Sequence, residues 1–200
     1  FNHLRNVYVN HSDWIADISF DYFSVSIPIK SNHFFGINIT SVTMGDMEVT
    51  RYGNEDTGEK FSATDHAFGV AYALNLTDRF SIGFNGKYIQ QTIWHSRASA
   101  MAIDVGTLFR TQFNDMRLGM SISNYGSSMQ MSGRDILERY DPAPGLEGNN
   151  DALPVDYALD DWDLPLIFRV GVAMDVIEMG VTKLTVAVDA IHPNDNYESI

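Results

Sequence analysis

The stretch D115-M-R-L-G-M-S-I-S-N-Y-G126 decides the fold. Met116, Leu118, Met120 and Ile122 alternate with Arg117, Gly119, Ser121 and Ser123. Side chains on a strand point alternately to opposite faces, so a period of two separates a bulky apolar face from a face of small and charged residues.

The same division recurs along the chain. D65-HAFGVAYALNL76 sets His66, Phe68, Val70, Tyr72, Leu74 and Leu76 against Ala67, Gly69, Ala71, Ala73 and Asn75. R79-FSIGFNGKYI89 sets Phe80, Ile82, Phe84 and Tyr88 against Ser81, Gly83, Asn85 and Lys87. M101-AIDVGTLFR110 sets Met101, Ile103, Val105 and Phe109 against Ala102, Asp104, Gly106 and Arg110, with Thr107 and Leu108 exchanging sides. L166-IFRVGVAMD175 sets Leu166, Phe168, Val170, Val172 and Met174 against Arg169, Gly171, Ala173 and Asp175. K183-LTVAVDAI191 sets Leu184, Val186 and Val188 against Lys183, Thr185, Ala187 and Asp189. D21-YFSVSIPI29 and F35-GINITSV42 read as rougher strands, with Pro28 marking an end or an edge. M44-GDMEVTR51 reads as a continuation past a glycine bulge at Gly45. The pattern predicts one all-β domain over residues 1–200 with about nine strands. S132-GRDILERY140, with Ser132 as its cap, reads as a short helix inside a long polar connection over about 126–162.

The connections form a second pattern. Ser31 to His33, Thr77 to Arg79, Gln112 to Asp115 and Ile177 to Thr182 are short; Tyr52 to Thr64, Ile93 to Ala98 and Tyr125 to about Asp161 are longer. In an up-and-down antiparallel sheet alternate connections lie at opposite ends. One end then carries tight turns and the other long loops, as in outer-membrane barrels.

The second face separates two architectures. A water-facing sheet surface favours Thr, Lys, Glu and Gln, whereas this one is Gly, Ala, Ser and Asn with scattered charges. Small residues fit the crowded interior of a barrel. On that reading Phe80, Ile82, Phe84, Met116, Leu118, Met120, Ile122, Phe168, Val170 and Val172 face lipid. Lys87, Asp104, Arg110, Arg117, Arg169, Lys183 and Asp189 face the lumen, where they select a solute, grip a plug or neutralise one another. Trp14, Tyr88, Trp94 and Trp162 would mark the interfacial girdles. A soluble β-sandwich, with its bulky faces packed together, remains the alternative from pattern alone.

Composition removes several classes. A net charge of −13 without a basic stripe disfavours nucleic-acid binding. No cysteine is present, so disulfides and thiolate metal sites are excluded. No apolar run is long enough for a transmembrane helix. The start at Phe1 and the polar stop at N194-DNYESI200 read as a piece of a longer chain.

Neither G-x-S-x-G nor a phosphate loop appears, so a non-enzymatic role without cofactor is expected. The acidic stretch D141-PAPGLEGNNDALPVDYALDDWD163 offers oxygens to Ca²⁺ but lacks D-x-D-x-D-G spacing, and no metal site is assigned. His11 with Asp13, and His192 with Asp195, read as turn hydrogen bonds rather than ligands. N38-I-T40 and N75-L-T77 match the glycosylation sequon but fall in or at the ends of strands.

Four phrases follow in order with matching spacing: A71-YALNLTDRFSIGFNGKYIQQTIWHSRASAMAIDVGTLFRT111, M116-RLGMSISNYG126, D163-LPLIFRVGVAMD175 and L184-TVAVDAIHPNDN196. From about Trp14 onward the chain resembles the PorV/PorQ-like family of outer-membrane proteins, similar in fold to FadL-type barrels. The resemblance implies a transmembrane barrel of about fourteen strands in the outer membrane of a Gram-negative bacterium, of which this chain would hold a part. It also implies a role in type IX secretion or surface attachment, with outer-membrane lipid and a secreted cargo or secretion-system component as partners. A FadL-like channel for hydrophobic solutes is the transport alternative.

Overall fold

The computed structural model describes residues 5–53, 56–142, 152–179 and 182–194. These residues are all-β, with one 3-10 turn and no α-helix. The strands are β1 (Asn6–Asp13), β2 (Ile18–Lys30), β3 (His33–Met44), β4 (Met47–Glu48), β5 (Lys60–Phe61), β6 (Ala63–Asn75) and β7 (Phe80–Ile93). They continue with β8 (Ser96–Arg110), β9 (Arg117–Gly126), β10 (Ser132–Gly133), β11 (Leu137–Tyr140), β12 (Leu153–Asp156), β13 (Ile167–Met179) and β14 (Thr182–Pro193).

Nine long strands form one antiparallel sheet in the order β1-β2-β3-β6-β7-β8-β9-β13-β14, and the short β10 pairs with the start of β8. Apart from the small hairpins, each strand lies beside its sequence neighbour, the up-and-down order predicted from the connections. Among the described residues the sheet is open: β1 and β14 each have one unpaired edge.

Two long connections, residues 45–62 and 127–166, leave from the same end of the sheet. The opposite end holds the tight turns at 31–32, 76–79 and 111–116, together with the β13–β14 connection. Ile93 to Ala98 differs from the reading above. β7 runs to Ile93 and β8 begins at Ser96, leaving a two-residue turn in which Trp94 has a left-handed backbone with φ 51°. The polar pair His95-Ser96 resembled loop sequence, but Ser96 and Arg97 pair with Ile93 and Thr92.

Two further expectations are corrected. Met44 ends β3, and the chain beyond Gly45 folds away so that Met47 and Glu48 pair with Phe61 and Lys60. The Gly45 amide instead donates to the Asp17 carbonyl of the β1–β2 turn. Ser132 to Tyr140 is not a helix: only Arg134–Ile136 makes a 3-10 turn, without a side-chain cap, and Leu137–Tyr140 pairs with Leu153–Asp156. Gly133 and the extended residues on either side give the segment to strand pairing.

Cross-strand register aligns the bulky positions into continuous rows. One row reads Val9, Phe23, Ile39, Phe68, Tyr88 and Met101. Another reads Ile27, Phe35, Tyr72, Phe84, Val105, Ile122 and Phe168. Nothing among the described residues covers this face; Val70 is 56% and Met101 71% exposed. The buried core lies on the other face, where Met129 and Leu164 cover Ala98, Ala100 and Ala102, with Ile89 and Met131 packed alongside. The long connection therefore folds back over the small-residue face at the long-loop end.

Candidate functional site: the small-residue face

Side chains on the small-residue face divide into three zones along the strands. At the long-loop end lies the Met129 cover. Its anchor is the antiparallel bridge between Met129 and Trp162, each amide donating to the other's carbonyl at 2.8 and 2.9 Å. Alanines at 98, 100 and 102 provide a flat seat on which a methionine side chain packs closely.

The middle zone is a polar network. Lys87 on β7 reaches Asp104 on β8 at 2.7 Å, with both side chains largely buried. Asn85 donates to Asp104 Oδ2 at 3.0 Å and the Asn124 amide donates to Oδ1 at 2.8 Å. Lys87 also donates to Asn124 Oδ1, and Asn124 Nδ2 donates to the Pro165 carbonyl at 2.8 Å. Asn38, two strands away on β3, donates to Asn85 at 3.0 Å.

Two local features make this network possible. β8 and β9 shift register between Ile103 and Val105, so Ser123 and Asn124 together face Asp104, and Asn124 takes φ 64°. A bulge re-aims a side chain in this way, and asparagine tolerates the left-handed region better than most residues. Gly69 on β6 provides the passage for Asn38, whose amide occupies the space that a β-carbon at 69 would fill.

Toward the tight-turn end lies a groove of about 690 Å³, lined by glycines and alanines together with Arg117, Arg169 and Asp189. Asp175 is the fixed charge beside it, its side chain 4% exposed. Arg117 donates to its Oδ1 at 2.9 Å, Thr185 donates to the same oxygen at 2.7 Å, and the Lys183 ammonium lies 2.8 Å from Oδ2. A second register shift, between Asp175 and Ile177, accompanies this cluster. Both carboxylate clusters thus sit where the ladder is interrupted.

The seven charged positions anticipated for this face separate accordingly. Lys87 and Asp104 pair with each other, Arg117 and Lys183 converge on Asp175, and Arg110 turns to Asp115 at 3.4 Å in the β8–β9 turn. Asp189 lies across Gly171, whose missing β-carbon makes the room. Arg169 lines the groove. Asp175, the hub of the second cluster, was not singled out from sequence, nor were Asn38, Asn85 and Asn124. The available signal was a carboxylate on the small-residue face between Arg169 and Lys183. For Asn38 it was an amide directly opposite a glycine.

A further polar cluster fixes the long connection. Asp135 accepts from the His95 amide at 3.1 Å and from Ser96 Oγ at 3.3 Å, and contacts His95 Nδ1 at 2.9 Å. Arg134 Nη2 lies 2.6 Å from His95 Nε2. A guanidinium only donates, so Nε2 accepts and Nδ1 carries the proton toward Asp135. Burial raises the Asp135 pKa, but donation from the His95 ring, the His95 amide and Ser96 outweighs it and holds the carboxyl below its ordinary value.

His11 bridges Asp13 at 3.1 Å and Asp21 at 2.7 Å, a cross-strand contact rather than a turn. The proposed His192–Asp195 pair involves residue 195, and the acidic stretch includes 143–151; both lie outside the described residues. Among the described residues no three His, Asp or Glu side chains converge on a metal-sized site. No helix there is long and apolar enough to cross a membrane, a fact that says nothing of strands. Compared with protein-family models, curated proteins and solved structures, the chain matches none.

Proposed function

We propose that this sheet is part of an outer-membrane β-barrel of the PorV/PorQ type, with its bulky face in lipid and its small-residue face lining the lumen. The observation that carries the reading is the boundary of the apolar face. On β8 the bulky face carries Met101, Ile103, Val105, Thr107 and Phe109, then turns polar at Ser99 and Arg97. On β6 it runs from Phe68 to Leu74, with Leu76 just past the strand end, and turns polar at His66 and Thr64. Nine residues of strand cover about 27 Å at ~3.4 Å per residue, roughly 20 Å in height at a ~40° tilt, near the apolar band of a membrane barrel. Beyond it the register aligns His11, Asp21, Ser41, His66, Gln90 and Ser99 in one polar row. A sandwich core has no reason to stop along a common line across six strands.

The role is non-enzymatic, in secretion or surface attachment. The long-loop end faces outward and presents its connection to a cargo or secretion-system partner. Residues 134–163 hold nine acidic and two basic side chains, so a partner with a basic face is favoured. The groove beside Arg117 and Arg169 keeps the FadL-like channel as a second reading, although its charged rim fits an apolar solute poorly.

Single cysteines at Met120→Cys and Ser121→Cys, in the full-length protein in native membranes, test the membrane reading. A fluorophore at 120 should be quenched by a bilayer-resident quencher and one at 121 should not. Equal quenching at both, or at neither, overturns it. Replacing the β11–β12 hairpin with a Gly-Ser linker should abolish capture of a cargo sorting domain while leaving the quenching pattern unchanged.

A further inference from the structure

From the bulky face just beyond the apolar band we infer a binding site for the phosphoryl group of a lipid headgroup. This inference rests on the membrane reading above. The site is a polar niche of about 570 Å³ between the start of β8 and the returning segment 128–132. Its floor is Tyr88 and Gln90 of β7 with Ser99 and Arg97 of β8; Ser128, Gln130 and Ser132 form one wall and Asp161 stands at the rim.

Register fixes which side these residues occupy. Gln90 aligns with Ser99, and Arg97 aligns with Thr92 and Ser132, respectively one and two positions on the same face beyond the row that ends in Tyr88 and Met101. Met129 and Met131 point the other way, into the alanine-seated core, so Ser128, Gln130 and Ser132 face the niche by alternation. Arg97 is four residues from Met101 along the strand. That is about 13 Å of strand and roughly 10 Å of height at a ~40° tilt, the depth of the headgroup layer above the hydrocarbon.

The chemistry selects the ligand. Arg97 is the one cation lining the niche, and its guanidinium makes no hydrogen bond or ion pair within the described residues; its backbone carbonyl accepts from Ser132. A planar guanidinium with several donors matches a phosphoryl group, while serine hydroxyls and glutamine amides match sugar or glycerol hydroxyls. Gln130 already donates to the Leu159 carbonyl at 2.6 Å, which orders the wall in advance. Asp161 opposes a bare dianion and favours a headgroup that also bears hydroxyls or an ammonium group. The acyl chains of such a lipid would continue down the row of Tyr88 and Met101, making the niche the polar end of an annular lipid site.

The test uses the full-length protein in vesicles of phosphatidylcholine, alone or with a phosphorylated diglucosamine lipid as probe, and glucose 6-phosphate as the soluble source of the same phosphoryl chemistry. Retention of the probe lipid is read by native mass spectrometry, and the Met120→Cys quenching is read in parallel. Arg97→Gln should reduce retention about tenfold, the loss of one charge-assisted phosphate contact, while Lys30→Gln at the opposite end leaves it unchanged. Glucose 6-phosphate should fail to displace the lipid at millimolar concentration. Quenching at Met120→Cys with retention unaffected by Arg97→Gln overturns the niche and leaves the membrane reading standing. Displacement by glucose 6-phosphate makes it a soluble phosphosugar site instead. Loss of quenching at Met120→Cys overturns both.

Discussion

Gly69 and Gly86 occupy the same strand pairing on opposite faces, and the difference between them is a test of the polar network. A β-carbon at 69 would collide with the Asn38 amide, whereas at 86 it meets open space. Gly69→Ala should therefore displace Asn38 from Asn85 and lower stability by about 1–3 kcal/mol, the usual effect of overpacking. Gly86→Ala should be neutral or slightly stabilising. Urea unfolding midpoints in detergent micelles distinguish the two. Asp104 is the hub on which Lys87, Asn85 and Asn124 converge. Asp104→Asn should cost roughly 2–3 kcal/mol by stranding the Lys87 ammonium, and pairing it with Lys87→Met should recover part of the loss, because removing both charges leaves neither unpaired. If the double variant is as unstable as the sum of the single ones, the two groups do not act as a pair.

Among elements, the long strands were legible in the sequence because each alternates over eight or more residues and each face has its own composition. β1 was not marked: in N6-VYVNHSD13, Asn10 and Ser12 of the second face alternate with His11 and Asp13 rather than with bulky residues. The Trp94–His95 turn and the β4–β5 and β11–β12 hairpins were also illegible. Their pairing is set by contacts with distant chain, not by local period. The polar clusters were half visible. Sequence places charges on the correct face, but a bulge changes which of them meet, and bulges leave only a faint trace in a run such as S-N-Y-G.

The His95–Asp135 contact belongs to this scale, because it ties the 3-10 turn to the β7–β8 turn. Its carboxyl is depressed in the folded state, so the contact stabilises the fold above the unfolded value of about 4 and is lost as pH falls through the lower folded value. Acidification below about pH 4 should release the 134–142 segment to protease before the sheet unfolds. In Asp135→Asn that segment should already be cleaved at pH 7, with little further change on acidification.

For the whole molecule, the arrangement along the small-residue face matters most. From the long-loop end inward it passes the Met129 cover, then the Asp104 network, then the groove near Arg117 and Asp175. If this face lines a lumen, the cover should limit ion flow. In planar bilayers the full-length protein should show small conductance, and Met129→Ser combined with Leu164→Ser should raise it severalfold. Unchanged conductance would mean that the narrowest point lies elsewhere. Met129→Leu, which keeps the packing, should behave as the natural protein.

If the small-residue face lines a lumen, the seating of Met129 and Leu164 on three alanines gives that lumen a direction. The cover lies toward the long loops and the groove toward the tight turns. A lumen built this way would be a blind alley rather than a corridor: whatever entered from the tight-turn side would leave by the same door.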